Sequence, residues 1–209
     1  MSFREKLAGI PRPNLAGFLG PLIGLISIPV AALLLPGFSW QSNPLSDLGS
    51  WFRTDLGSLQ ILSAVIFNGG LIIGGLLLLY FTVSLFRMLN DWPTKIAMIV
   101  FMATCIFLAS VGVFSEDFPL PHVLSALGFF LSIPIALGIA GLAWLRFREL
   151  RLFAILTLIL SVVSYLTIFN SWASIAIREL AEALIAIGWI WVVNYLHYTG
   201  RLSSIINEP

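Results

Sequence analysis

The residues able to do chemistry fall in three separate stretches. Glu116, Asp117 and His122 lie in FSEDFPLPH, a short acidic break between two long apolar runs. Ser46 and Asp47 lie in an earlier polar stretch, and Arg178, Glu179 and Glu182 in a later one. Carboxylates beside an imidazole can serve as general acid and base, or as ligands for a divalent cation. A membrane protein keeps ionisable groups near its apolar segments at a cost of several kcal/mol unless they are paired, so these stretches are the first candidates for function. The expected catalytic set is Asp47, Asp117, His122 and Glu179. Ser46, Asn68, Ser125, Arg178 and Glu182 are the expected ligand-binding residues. A metal, as one possible cofactor, would fall to Asp47, Asp117 and His122, an oxygen-rich set with a single nitrogen donor. A serine nucleophile would be Ser46, Ser115 or Ser125 beside His122, although no nucleophile-elbow spacing surrounds any of them.

The elements that position these residues are membrane helices. The chain has 209 residues, 59% hydrophobic and only 10% charged, more apolar surface than a soluble domain of this length can bury. The charges leave apolar runs at 13–46, 56–86, 96–115, 118–145, 152–177 and 183–200. Each can hold the roughly 20 residues of a spanning helix, and none alternates as a barrel strand does. The expectation is an all-α, polytopic six-helix bundle, a single domain over 1–209, with helices at about 15–36, 56–86, 95–114, 119–145, 151–171 and 174–198. Residues 37–55, rich in Trp40, Trp51 and Phe52, are expected as an outer interfacial loop.

Placing the N-terminus in the cytoplasm puts Arg4, Lys6, Arg12, Arg87, Lys95, Arg146, Arg148, Arg151 and Arg201 on the inner side and only Arg53 and Arg178 outside. That asymmetry predicts both termini cytoplasmic in the cell membrane. A net charge of +1 without a basic tail argues against nucleic acid as a partner, and the lone Cys105 reads as a packing residue.

Within the helices, Gly70 and Gly74 form a GxxxG pair that seats another helix of this chain or a second copy. Asn68 is expected to make an interhelical hydrogen bond. Asp117 is placed to cap the fourth helix, ahead of Pro119 and Pro121. Arg178 and Glu182, four apart, can pair on the sixth. His122, Ser125, Gly128, Phe129 and Ser132 share one face of the fourth, as a cavity lining would. The tail after Gly200 is expected to be short and loose.

NPLSDLGS at Asn43–Ser50, FNGG at Phe67–Gly70, VGVFSEDFPLPHVLSALGFF at Val111–Phe130 and the Glu179–Glu182 segment resemble, in order and spacing, a prokaryotic membrane family catalogued as domain of unknown function 998. That family looks related to the Frag, DRAM and Sfk group. There a motif like the one at Pro44–Gly49 ends the first loop, and an acidic residue and a His precede the fourth helix, matching Asp117 and His122. The resemblance implies a six-helix bundle, a joint role for Asp47, Asp117 and His122, and a broad link to lipids, without an activity. Residues and resemblance together leave two functions open: an enzyme that modifies a lipid headgroup, hydrolytic or transferring, and a non-catalytic lipid-binding, scaffold or transport module. Membrane lipids are the expected partners of either.

Overall fold

The computed structural model describes residues 9–206, so Arg4 and Lys6 of the basic arm lie outside the described residues. The described residues form six long helices: α1 (Arg12–Leu33), α2 (Gln60–Met88), α3 (Trp92–Val113), α4 (Pro119–Trp144), α5 (Arg151–Phe169) and α6 (Ile175–Tyr198). Helices α1 to α5 are long and apolar enough to cross a membrane. Large apolar side chains such as Leu33, Ile61, Leu142 and Leu152 stay exposed on their outer faces, as a surface solvated by lipid requires. The sixth helix carries Arg178, Glu179 and Glu182 in its first turns and Trp189 and Val193 buried below.

The helix starts follow local chemistry. Pro11 precedes α1, and Pro13 occupies its first turn, so α1 starts at Arg12, ahead of the expected start at about 15. Asp91 caps α3 by accepting from the Thr94 N–H at 2.9 Å, with Pro93 in the first turn, which moves that start forward as well. Arg146, at the end of α4, donates to the same Asp91 at 2.6 Å and ties the two inner turns together.

Consecutive helices pack on one another from α1 to α5, while α6 returns to lie between α1 and α5. The glycine face of α2 is taken by α1: a Cβ at Gly74 would lie 2.9 Å from the Gly20 carbonyl, and one at Gly70 would collide with Ser27. The close approach that GxxxG permits is therefore spent within the chain.

Polar ties hold α6 to α1: Asn14 Nδ2 donates to Asn194 Oδ1 at 2.8 Å, Asn194 Nδ2 returns to the Asn14 carbonyl at 2.9 Å, and Trp191 Nε1 donates to the Phe18 carbonyl at 3.2 Å. Two more hold it to α5, from Ser164 to Glu182 at 2.8 Å and from Trp189 to Thr157 at 3.2 Å. Lower in the bundle, Trp189 packs edge-on against Phe101 of α3 at 5.1 Å and stacks over Trp144 of α4 at 6.2 Å.

The segment after Gly200 differs from the loose tail expected. Leu202 and Ile205 are buried, and the Asn90 N–H donates to the Ile205 carbonyl at 2.9 Å. Two apolar side chains with access to the α2–α3 turn are enough to dock it.

Candidate functional site

Part of the first loop is buried in the bundle, while Phe52 stays exposed. Residues Leu45–Gly49 form a 3-10 turn sunk into the outer mouth of the bundle, with Leu48 fully buried. Burying backbone requires partners for each carbonyl, and α2 supplies them. Gln60 Nε2 donates to the carbonyls of Asp47 and Ser50, both at 3.0 Å, Ser63 Oγ to that of Leu48 at 2.9 Å, and Asn68 Nδ2 to that of Gly49 at 2.8 Å. Asn68 thus anchors the loop through Nδ2, in place of the expected interhelical bond, while its buried Oδ1 has no partner among the described residues. On the other side, α6 holds the loop: Glu179 accepts from the Leu45 N–H at 2.7 Å, and Ser174 donates to the Trp40 carbonyl.

The residues of the expected acidic constellation make two adjoining sets of contacts. In the first, Asp47 accepts from Asn43 at 2.5 Å and pairs with Arg53 at 2.6 Å, and Arg53 also reaches Asp55 at 2.8 Å and Glu116 at 3.8 Å. Burial, and then the neighbouring Asp47 carboxylate, push the Glu116 carboxyl up to about 7. Asp117 does not cap α4, where Phe118 occupies the cap position without a side-chain bond. Its carboxylate accepts from Ser50 Oγ, the Trp51 N–H and Ser115 Oγ, each at 2.7 Å, and so staples the first outer loop to the second. Burial raises the Asp117 carboxyl, but these donors outweigh it and hold it below the usual carboxylate range. Arg53, the centre of this clamp, is the residue that spacing did not single out; its only signal was being the sole basic residue of the first loop.

The second set lines space. Ser46, His122 and Glu179 border one cavity of about 80 Å³ between the first loop, α4 and α6. His122 is half-buried, with Nδ1 2.8 Å from the Phe114 carbonyl. A carbonyl only accepts, so Nδ1 is the donor in this bond and Nε2 is the ring nitrogen left without a protein partner among the described residues. Ile28, Leu71, Leu108, Phe129 and Ala183 line this cavity and also a second one of about 60 Å³, which continues between α1, α2, α3 and α6 to Phe101 and Ile190. The second is walled almost entirely by apolar groups, Cys105 among them. Ser125 is buried without bordering either cavity, and Ser132 bonds Thr104 across to α3 at 2.7 Å.

Arg178 and Glu182 do not pair. Glu182 is 1% exposed and gives one oxygen to Ser164, while its Oε1 has no partner among the described residues. The metal set is not assembled: Asp47, Asp117 and His122 have separate partners, and among the described residues no cluster of three or more His, Cys, Asp or Glu is placed to hold a metal ion.

A multi-pass helical bundle with a docked outer loop and a polar-mouthed cavity defines an integral membrane protein. The profile of the family described as Protein of unknown function (DUF998) matches residues 18–196, and the chain belongs to that family. No curated protein and no solved structure matches it. The wider likeness to the Frag, DRAM and Sfk group rests on the short motifs alone.

Proposed function

We propose that this protein binds a membrane amphiphile from the outer face of the cell membrane. The polar end lies against Ser46, His122 and Glu179, and the chain descends beside α6. The observation that carries the reading is that the polar-mouthed cavity and the apolar one adjoin, with Ile28, Leu71, Leu108, Phe129 and Ala183 lining both. A small polar cluster over an apolar shaft complements a molecule with one polar and one apolar end. The nine-to-two division of basic residues supports an outward mouth and cytoplasmic termini. Lipid retention in mild detergent, read by native mass spectrometry, tests it. The parent should carry a bound lipid, and Ala183→Trp, which fills the shaft, should lose it about 10-fold while remaining monodisperse. Equal retention by the two proteins overturns the proposal.

A second reading, hydrolysis or transfer on the bound amphiphile, is favoured by the His122 ring. With Nδ1 fixed on the Phe114 carbonyl, Nε2 can act as a general base, and Ser46 lines the same cavity as a nucleophile or water-positioning group. Headgroup release from a fluorescent lipid, lost in His122→Ala and in Ser46→Ala when rates are compared per bound lipid, separates enzyme from binder. Absence of release from every lipid that the parent retains leaves the non-catalytic reading.

A further inference from the structure

A second chamber of about 160 Å³ lies between the outer parts of α4, α5 and α6. Its apolar walls are Leu127, Phe130, Leu131 and Ile168, and its polar lining is Arg178, Glu179 and Glu182. Two of these groups lack a protein partner of opposite charge. Arg178 forms no ion pair among the described residues, whose pairs all centre on Arg53 and Arg146. Glu182 is buried, and only its Oε2 is bonded, by Ser164 at 2.8 Å. A buried carboxylate oxygen without a donor, beside apolar walls, is costly enough that its partner is expected from outside the chain. Glu179 borders this chamber and also the cavity under the first loop, so the two polar regions are adjoining parts of one mouth.

We infer that the chamber between α4, α5 and α6 receives a zwitterion that joins a primary ammonium to a phosphate, with the ammonium on Glu182 and the phosphate on Arg178. An ammonium brings N–H donors to the unpartnered carboxylate oxygen, and a guanidinium binds phosphate through a pair of parallel N–H bonds. A trimethylated ammonium has the charge without the donors and fits less well. An anionic glycerol headgroup offers Glu182 hydroxyl donors but no positive charge to pair with its carboxylate. The inference rests on the amphiphile reading and adds the headgroup class.

The test uses the full chain in mild detergent and four probes: dioleoyl phosphatidylethanolamine, phosphatidylcholine, phosphatidylglycerol and soluble phosphoethanolamine. Binding is followed by native mass spectrometry. The ethanolamine lipid should be retained about 10-fold over the glycerol lipid, with the choline lipid between them. Glu182→Gln keeps the shape and removes the charge, and should bring that preference close to unity. Arg178→Gln, at a half-buried position less exposed to misfolding, should weaken all three phospholipids together. Retention of lipid without headgroup preference overturns the zwitterion and leaves the amphiphile reading standing; no retained lipid at all overturns both. An unchanged preference in Glu182→Gln likewise overturns the assignment, because a Glu182 that merely holds a proton is mimicked by the amide. Displacement of the ethanolamine lipid by phosphoethanolamine assigns the chemistry to the headgroup alone. Failure to displace it, with the lipid preference intact, assigns the ligand to the bilayer.

Discussion

The outer face of this protein carries two acidic assemblies of similar composition and opposite satisfaction. Around Arg53 and Asp117 nearly every polar atom has a partner: Asp117 alone takes three donors at 2.7 Å. Around Glu179 and Glu182 the polar atoms border cavities, and one carboxylate oxygen is left over. Membrane burial makes both arrangements expensive, and they repay it differently. The first assembly holds two loops in place, and the second keeps unspent hydrogen-bonding capacity for something else. Acidic residues near a membrane surface therefore become informative once their donors are counted.

The largest effect should come from breaking the clamp. Asp117→Ala strands the Trp51 N–H and the Ser50 and Ser115 hydroxyls, and should cost at least about 3 kcal/mol, since hydrogen bonds to a charged group contribute roughly 1.5–3 kcal/mol each and water can replace part of them at this half-buried position. Thermal unfolding in detergent measures it. His122→Ala in the cavity should cost less than about 1 kcal/mol on the same scale. Equal losses would erase the distinction between the two assemblies.

Next in size is the pH response of the clamp. Glu116 has its carboxyl raised from an ordinary 4.5 to about 7. A raised value means that the folded state favours the protonated form. Its contribution is complete below pH 4.5 and is lost as pH rises through about 7. The unfolding temperature should therefore fall across that window, and Glu116→Gln should flatten the slope. Asp117 works in the reverse sense, its contribution being lost only as pH falls through its lowered value in acid. A parent protein that gained stability between pH 4.5 and 7 would contradict the Glu116 assignment.

The smallest perturbation tests sidedness. Thr54 is exposed in the first loop and belongs to neither assembly's bonds. Thr54→Cys should leave stability within about 0.5 kcal/mol of the parent and be labelled by an impermeant maleimide from outside intact cells. Labelling only after the cytoplasm is opened would reverse the topology and turn both assemblies inward.

The helices were legible in the sequence because each apolar run is uninterrupted and its ends carry Pro, Asp or a basic cluster, signals that act locally. What was not legible depended on side-chain reach across the fold. Asp47 read as a site residue because nothing in its neighbourhood shows that Arg53, six residues on, folds back to neutralise it. Arg178 and Glu182 have the spacing of a helix pair, yet Ser164 on α5 captures the glutamate instead. Asp117 looks like a cap by position, but the buried loop offered it three donors and α4 was left without a side-chain cap. Ser46, His122 and Glu179 were all read from the sequence, and the structure brings them to one cavity. Gln60 and Ser63 were passed over, since a polar residue in an apolar run does not reveal which carbonyl it serves.

The Asn14–Asn194 clasp joins residues 180 positions apart and closes the ring of helices. On the ribosome, at roughly 5–20 residues per second, α1 waits on the order of 10–35 s for α6 to be made. Through that interval the Asn14 amide lacks its mate, and the wall of α1, α2 and α3 that later borders the shaft faces the translocation machinery or lipid. The cavities beside α6 come into being only when that helix docks, so their walls stand incomplete until the chain has been made through α6.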